Sequence, residues 1–143
     1  MANALFTPAK EGFLDATIDL DTAVIKAVLV RSYTFSASHK FVSDVTTAGG
    51  VLAGTPQTLG SKTVTGGVFD AADVTFTAVG ANANGHSVLI YQASAVGGGA
   101  DVAATAQRVI GYYDTGTLLP VTPNGGDITV AWDSGANRIF SLV

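Results

Sequence analysis

The chain of 143 residues contains no cysteine. Disulfide bonds, thiolate catalysis and cysteine-based metal sites are therefore excluded. Charge is scarce as well, since only 13% of the residues are Asp, Glu, Lys or Arg while 48% are hydrophobic. Such a chain is too apolar to stay disordered and long enough to bury most of its surface. We therefore expect one packed domain that spans residues 1–143.

Basic clusters and long apolar runs are also missing. The net charge is −4, and the seven Lys and Arg residues are scattered from Lys10 to Arg138. Electrostatic capture of nucleic acid needs a basic face, so we predict no nucleic-acid partner. No apolar stretch approaches the roughly 20 residues that span a bilayer, so we predict no membrane partner. The first residues lack a secretory signal pattern, and we expect synthesis in the cytoplasm.

The end of the chain has the strongest strand pattern. Across Asp127–Asp133 apolar residues alternate with polar or small ones, a period of two that is typical of a half-buried strand. The turn Ser134–Asn137 contains Gly and Asn, so we predict that Arg138–Val143 folds back as its hairpin partner. We interpret Trp132, the only tryptophan, as a core anchor, because burying an aromatic ring of this size stabilises a fold by about 2 kcal/mol or more.

Near the other end, the sequence predicts one short helix. Thr7 is the expected N-cap and Pro8 the first helical residue. Phe13 and Leu14 are expected to form the apolar face, and the helix is expected to end near Asp15–Thr17.

The middle of the chain reads as further strands separated by turns. Tyr33–Val45 is predicted to be irregular, Gly54–Pro56 to be a turn and Val96–Asp101 to be a flexible loop. Strands at such spacing favour an antiparallel sandwich, a jelly roll or a small barrel. We predict an all-β, single-domain antiparallel sandwich that is jelly-roll-like, with an N-terminal arm and short helix at about residues 1–17. The other predicted strands are Ala23–Arg31, Gly50–Ala53, Leu59–Thr65, Asp73–Val79, His86–Gln92 and Ala106–Tyr113.

Two stretches partly match motifs that carry chemistry. The segment Gly54–Thr63 superficially matches a phosphate-binding loop, but five residues separate its glycines, Ser61 precedes Lys62, and no helix follows. Asp70 and Asp73 are candidates for a general acid and base pair, but nothing near them supplies a nucleophile or an oxyanion hole, and the segment Asp70–Asp73 is predicted to be a turn between strands.

Metal ligation is equally unsupported by spacing. His39 and His86 are isolated from other ligand types, and structural or solvated roles explain them. The nearby carboxylates Asp15, Asp19 and Asp21 do not form the twelve-residue loop of an EF-hand, and capping roles suffice. The sequence thus predicts no catalytic, cofactor-binding or metal-binding residue, no cofactor, and a protein that is not an enzyme.

Seven ordered blocks of sequence stand out along the chain. They are MANAL (1–5), AKEGFL (9–14), IKAVLV (25–30), HKFVSDV (39–45), KTVTGGVFDAADVTFTAV (62–79), LIY (89–91) and LPVTPNGGDITVAWDSGANRIFSL (119–142). Together these blocks, which cover most of the chain, resemble a family of small structural proteins encoded in tailed-phage genomes. The last block is the most specific.

The resemblance implies a virion protein, closest to a capsid cement (decoration) protein that lies on the outside of the shell. Its implied partners are the major capsid protein and further copies of itself, as a homodimer or homotrimer. Lys40 and the Gly/Ala-rich insertion at 95–106 depart from the family pattern, and both lie in predicted loops. Met1–Thr7, Tyr33–Val45 and the glycine loop are the candidate contact regions.

An alternative is a tail or fibre-associated β-sandwich binding module. Sandwiches of this kind bind sugars, and a tyrosine exposed on a strand can stack on a sugar ring. The candidates for such stacking are Tyr33, Tyr91, Tyr112 and Tyr113.

Overall fold

The computed structural model describes residues 3–116, 118–136 and 138–142. Within these ranges the chain forms two short helices and twelve strands, and its buried apolar residues make one contiguous cluster. The helices are α1 (Thr7–Leu14) and α2 (Val42–Thr47). The strands are β1 (Ala4–Leu5), β2 (Ile25–Arg31), β3 (Val51–Thr58), β4 (Thr63–Thr65), β5 (Val68–Asp70), β6 (Val74–Phe76), β7 (Ser87–Gln92), β8 (Ser94–Ala95), β9 (Gly98–Asp101), β10 (Arg108–Tyr113), β11 (Ile128–Val130) and β12 (Phe140–Ser141).

A five-stranded antiparallel sheet forms the centre of the molecule, in the order β1-β10-β7-β2-β3. The sequences of β2 and β7, IKAVLVR and SVLIYQ, are apolar on both faces, and every residue of β7 is buried. Such continuous apolar runs suit a strand that is covered on both sides. The prediction that Ala23–Arg31 contains a central strand is confirmed.

Different layers cover the two faces of this sheet. On one face the Tyr112 ring contacts Tyr33 edge-on at 5.4 Å and stacks on Phe35 at 5.6 Å. On the other face lie two smaller antiparallel sheets, β12-β5-β4 and β11-β6, and a Cβ at Gly54 of β3 would lie 3.9 Å from the Phe76 ring of β6. The predicted antiparallel all-β sandwich is confirmed, although its two sheet layers are unequal in size.

The turn of the β4–β5 hairpin is formed by two glycines with positive φ. Its two turn residues, Gly66 and Gly67, have φ values of 60° and 78°. Two consecutive positive φ values define the turn type whose twist matches paired strands, and glycine adopts them without steric cost.

The N-terminal helix exists, but its cap was predicted wrongly and its apolar face was predicted correctly only in part. Phe13 packs against the core and stacks on the Phe140 ring at 5.7 Å, as predicted. Phe6 occupies the N-cap position without a side-chain hydrogen bond, and Thr7 is the first helical residue. Leu14 is 90% exposed, because the buried side of α1 carries Ala9 and Gly12 instead. A Cβ at Gly12 would lie only 2.8 Å from the Ile18 side chain, so glycine allows this close approach.

The segment predicted as a turn at Gly54–Pro56 lies inside the continuous strand β3. Leu29 of β2 pairs with Ala53 and Ala27 pairs with Gln57, so the three residues between form a bulge. Strand β3 is at the edge of the sheet, where a proline costs no ladder hydrogen bond.

Further upstream, the predicted irregular segment Tyr33–Val45 runs into α2, a helix that the sequence did not predict.

The predicted flexible loop Val96–Asp101 contains an ordered strand. Strand β9 pairs with β8 in a hairpin, with Gly98 and Gly99 at φ values of 88° and 97°. The Lys26 ammonium lies 2.5 Å from the Asp101 carboxylate, and the Thr22 hydroxyl, which donates its proton to Asp19, lies 3.2 Å from the Val96 carbonyl oxygen. These contacts fasten the hairpin to the body, which composition alone did not reveal.

The predicted C-terminal hairpin is also wrong in its pairing. Strand β11 pairs with β6, where the Thr75 and Thr129 hydroxyls lie 2.9 Å apart. Strand β12 pairs with β5, where the Phe140 ring packs on Phe69 at 5.3 Å. Both strands therefore pair with distant segments rather than with each other. Asn137 and Val143 lie outside the described residues.

Candidate binding cleft

The two histidines have local structural partners. His39 Nδ1 lies 2.7 Å from the Tyr33 hydroxyl. His86 is only 1% exposed, and its Nδ1 lies 2.8 Å from the Asn84 carbonyl oxygen. Among the described residues no group of three or more His, Cys, Asp or Glu side chains is placed to hold a metal ion.

The N-terminal carboxylates stabilise turns. Asp19 accepts hydrogen bonds from the Thr22 hydroxyl at 2.5 Å, the Asp21 amide at 2.9 Å and the Thr22 amide at 3.2 Å. These bonds, with the Thr22 hydroxyl first, lower the pKa of the Asp19 carboxyl. Asp15 is bonded in the same way by Thr17, whose hydroxyl donates at 2.6 Å. Capping, as predicted, describes both residues.

Asp70 and Asp73, the candidates for an acid–base pair, both contact the C-terminal segment instead. Asp73 Oδ1 accepts from the Trp132 amide at 2.9 Å. Asp70 Oδ2 lies 3.7 Å from Arg138 Nε. Lys62, from the loop that resembled a phosphate motif, donates to the Ala23 carbonyl, and partial burial lowers its pKa.

The four tyrosines considered for sugar stacking are all buried. Tyr33, the most accessible of them, is 9% exposed, so none presents a ring face to solvent. Burial raises the pKa of Tyr91 to about 12. The prediction that a sugar stacks on these tyrosines is therefore wrong.

An open cleft of about 560 Å³ lies where the small sheets meet the edge of the large one. We call it the Trp132 cleft. Its walls come from four distant segments: the N-terminus, the stretch after β10, the stretch after β11 and the start of β12. The side chains that define it are Asn3, Tyr113, Leu119, Trp132, Asp133 and Arg138.

Trp132 is fixed in place by three contacts. Its indole Nε1 donates to the Ala72 carbonyl at 3.0 Å, and its backbone amide bonds to Asp73. The ring of Tyr113 meets the indole at 6.2 Å with an interplanar angle of 64°. Trp132 is half-buried rather than buried, so the prediction of a core anchor holds only for the side that packs on the core.

Tyr113 is nearly fully buried beside Trp132. Its hydroxyl has no hydrogen-bond partner among the described residues, and burial raises its pKa. A Cβ at Gly111 would lie 2.8 Å from that hydroxyl oxygen, so the ring lies over Gly111 two residues earlier on β10. The tyrosine thus fills the space that a side chain at 111 would take.

The polar side chains of the cleft differ in how firmly they are held. The Asn3 amide is engaged on both ends, donating to the Thr115 carbonyl at 2.9 Å and accepting from the Asp114 and Thr115 amides at 3.0 Å. Arg138 is different: its side chain is 43% exposed, and its 3.7 Å approach to Asp70 is too long for a hydrogen bond. Asp133 is exposed as well.

A second cavity of about 460 Å³ adjoins the cleft. Residues 3–5 of the N-terminal strand region line one side and residues 139–141 line the other, with Tyr113 shared between both cavities. The cleft therefore continues between the edge of the large sheet and the edge of the β12-β5-β4 sheet.

Sequence reasoning missed the cleft because its walls are separated by up to 136 positions, from Asn3 to Ile139. The only local signal was Trp132, which lies two residues after Val130, the last paired residue of β11. Among the described residues, no helix is long and apolar enough to cross a membrane. Comparison of the chain with protein-family models, with curated proteins and with solved structures found no match.

Proposed function

We propose that this chain is a non-enzymatic structural protein of a tailed-phage virion, which binds the outside of the capsid shell and stabilises it as a cement protein. The observation that carries the proposal is the ordered set of sequence blocks that resembles small phage structural proteins over most of the chain. Its partners are then the major capsid protein and further copies of itself, as a homodimer or homotrimer. The protein is made in the bacterial cytoplasm and ends on the virion surface.

The architecture supports this role through rigidity. A ligand that binds the assembled shell and not its separated subunits stabilises the shell by mass action. Such a protein loses least free energy on binding when its contact surface is already ordered. The central strands β2, β7 and β10 are buried on both faces, which gives a stiff platform for exposed hairpins.

The β8–β9 hairpin, which contains the predicted glycine loop, is a better candidate for contact with the shell than the N-terminal arm. It is exposed along most of its length, and Val96 at its turn is a large apolar residue with 37% exposure. Its fastening by Lys26 and Thr22 means that little conformational entropy is lost when a partner covers it.

The N-terminal arm is a weaker candidate for contact. Ala4 and Leu5 pair with Tyr112 and Gly111 as strand β1, and Phe6 is completely buried. Removal of this arm would delete a strand of the sheet, so its loss does not test shell contact alone. Met1 and Ala2 lie outside the described residues.

Co-sedimentation of the purified protein with heads that lack it tests the proposal. We expect saturable binding, and we expect Val96→Asp to weaken it by about tenfold or more, since a desolvated charge is costly at an interface. Val64→Asp is the matched control, because Val64 is an exposed apolar residue on β4. The cement role is refuted if the wild-type protein does not bind the heads. If both variants bind like the wild type, the hairpin is not the contact surface.

The alternative of a tail or fibre-associated binding module is favoured by one observation, the Trp132 cleft. A half-exposed aromatic in an open cleft is common at sites that bind ligands. The position of the protein on the particle separates the two roles.

A further inference from the structure

We propose that the Trp132 cleft binds a neutral saccharide ring, with the indole as the stacking platform and the Arg138 and Asp133 side chains as hydrogen-bonding groups at its edge. This site is independent of the place of the protein on a virion.

The platform is ordered before any ligand arrives. The indole of Trp132 is held by its Nε1 bond to Ala72 and its amide bond to Asp73, and Tyr113 supports it from the buried side. The same side chain lines the cleft and is half-exposed. An indole surface that is already fixed binds a flat apolar ring face without loss of side-chain entropy. One face of a pyranose presents C–H groups of this kind.

The charges at the edge favour a neutral ligand. Arg138 and Asp133 both line the cleft and bear opposite charges. Their charges cancel, so the pair favours neither an anion nor a cation. A guanidinium donates in a fixed fork, while a carboxylate only accepts. Adjacent hydroxyl groups on a sugar ring can satisfy both, because each hydroxyl donates and accepts.

The openness of the cleft selects a ligand with polar edges. Leu119 and Val130 contribute apolar walls, while one side of the cavity remains in contact with solvent. A wholly apolar ligand would keep much of its surface in water at this site. A saccharide places its C–H face on Trp132 and keeps its remaining hydroxyls hydrated. The volume of about 560 Å³ is within the range of about 300–1,000 Å³ that is typical of small-ligand sites.

Tryptophan fluorescence provides a direct test, because Trp132 is the only tryptophan in the chain. The probes are the methyl pyranosides of glucose, galactose, mannose, rhamnose and N-acetylglucosamine. Glycerol has hydroxyls but no ring face and serves as the ligand control, and adenosine tests whether any flat ring suffices. We expect a saturable fluorescence change with at least one pyranoside, with a dissociation constant on the order of 1 mM, as befits an open site. Saturation-transfer NMR should place the ring C–H protons of that sugar against the protein.

Variants at the exposed edge keep the test independent of folding. Arg138→Gln and Asp133→Asn each remove a charged hydrogen-bonding group, and we expect at least one of them to weaken the affinity by about tenfold. Arg31→Gln is the same change at a residue outside the cleft and should retain wild-type affinity. Circular dichroism and the Tm check that each variant is folded.

The proposal is overturned by any one of three results with folded protein. The first is the absence of a saturable response to all five pyranosides. The second is a response to glycerol or adenosine that equals or exceeds the response to the sugars. The third is full affinity in both Arg138→Gln and Asp133→Asn.

Discussion

The Tyr113 ring lies over Gly111, and a Cβ at residue 111 would be 2.8 Å from both the hydroxyl oxygen and a ring carbon of the tyrosine. The tyrosine cannot move away freely, because it is buried and packs against Trp132 at 6.2 Å. One glycine on β10 therefore sets the position of the ring that supports the cleft.

We expect Gly111→Ala to lower the free energy of unfolding by about 1–3 kcal/mol, since the added methyl group overpacks a fixed aromatic contact. Gly80→Ala is the matched control, because a Cβ at that position would have no heavy atom within 4 Å among the described residues, apart from its own chain neighbours. We expect this variant to change stability by less than about 0.5 kcal/mol. Urea unfolding followed by circular dichroism measures both. Equal stability of the two variants would contradict the packing described.

Two neighbouring tyrosines should respond differently to removal of the hydroxyl group. The Tyr112 hydroxyl donates to the buried Ser87 hydroxyl at 3.1 Å, whereas the Tyr113 hydroxyl is buried without a partner among the described residues. We expect Tyr112→Phe to destabilise the fold by about 1–2 kcal/mol, and Tyr113→Phe to be neutral or stabilising. Thermal unfolding compares them. A larger loss in Tyr113→Phe would show that its hydroxyl is bonded.

Alkaline pH should destabilise the protein through buried tyrosines. Burial raises the pKa of Tyr91 to about 12, and it raises the pKa of Tyr113 as well. An unfolded tyrosine ionises near pH 10, as is usual for this side chain. Between pH 10 and 12 the native state then binds more protons than the unfolded state, so the free energy of unfolding falls as pH rises. Below pH 10 these groups contribute no pH dependence.

This dependence is measured by urea unfolding across pH 9–12, with tyrosinate absorbance of the native protein as a second signal. The variant Tyr91→Phe should show a shallower decline than the wild type, because one shifted group is gone. An unchanged slope would mean that Tyr91 ionises alike in both states, contrary to its burial.

The backbone conformations of Ala78 and Ala48 predict opposite effects of glycine substitution on stability. Ala78 has a φ of 47°, a region that disfavours side chains with a Cβ. We expect Ala78→Gly to stabilise the fold by about 0.5–1 kcal/mol, as the strain relieved exceeds the extra entropy of glycine. Ala48, the C-cap residue of α2, has an ordinary φ of −79°, and Ala48→Gly should destabilise by about 0.5–1 kcal/mol. Chemical denaturation of both variants checks the sign, and stabilisation in both would contradict the reasoning.

The sequence predicted the parts of the fold that depend on local pattern. Strands β2, β7 and β10 stand out because each is a continuous apolar run with turn signals beside it. The pairing of β11 with β6 was not predictable, because contacts with a distant segment determine the partner of such a short strand and the adjacent turn does not. The ordered hairpin at Val96–Asp101 was not predicted for a similar reason, since Lys26 and Thr22, which are distant in sequence, hold it in place.

The cleft was beyond sequence reasoning for a different physical reason. Alternation assigned Trp132 to the buried face, but the paired strand ends at Val130 and the period-two pattern no longer applies after it. The indole is instead positioned by Ala72 and Asp73, two residues that sequence analysis assigned to a turn. Single tertiary hydrogen bonds of this kind leave no periodic signal.

Immunogold electron microscopy of the intact phage particle tests the central claim most directly. The antibody is raised against the folded protein, and particles from a phage with the gene deleted serve as the control for background label. The cement role predicts gold distributed over the head and absent from the tail. Label confined to the tail or its tip would contradict that role and support the alternative binding module, and the absence of specific label from the particle would contradict a position on the virion surface.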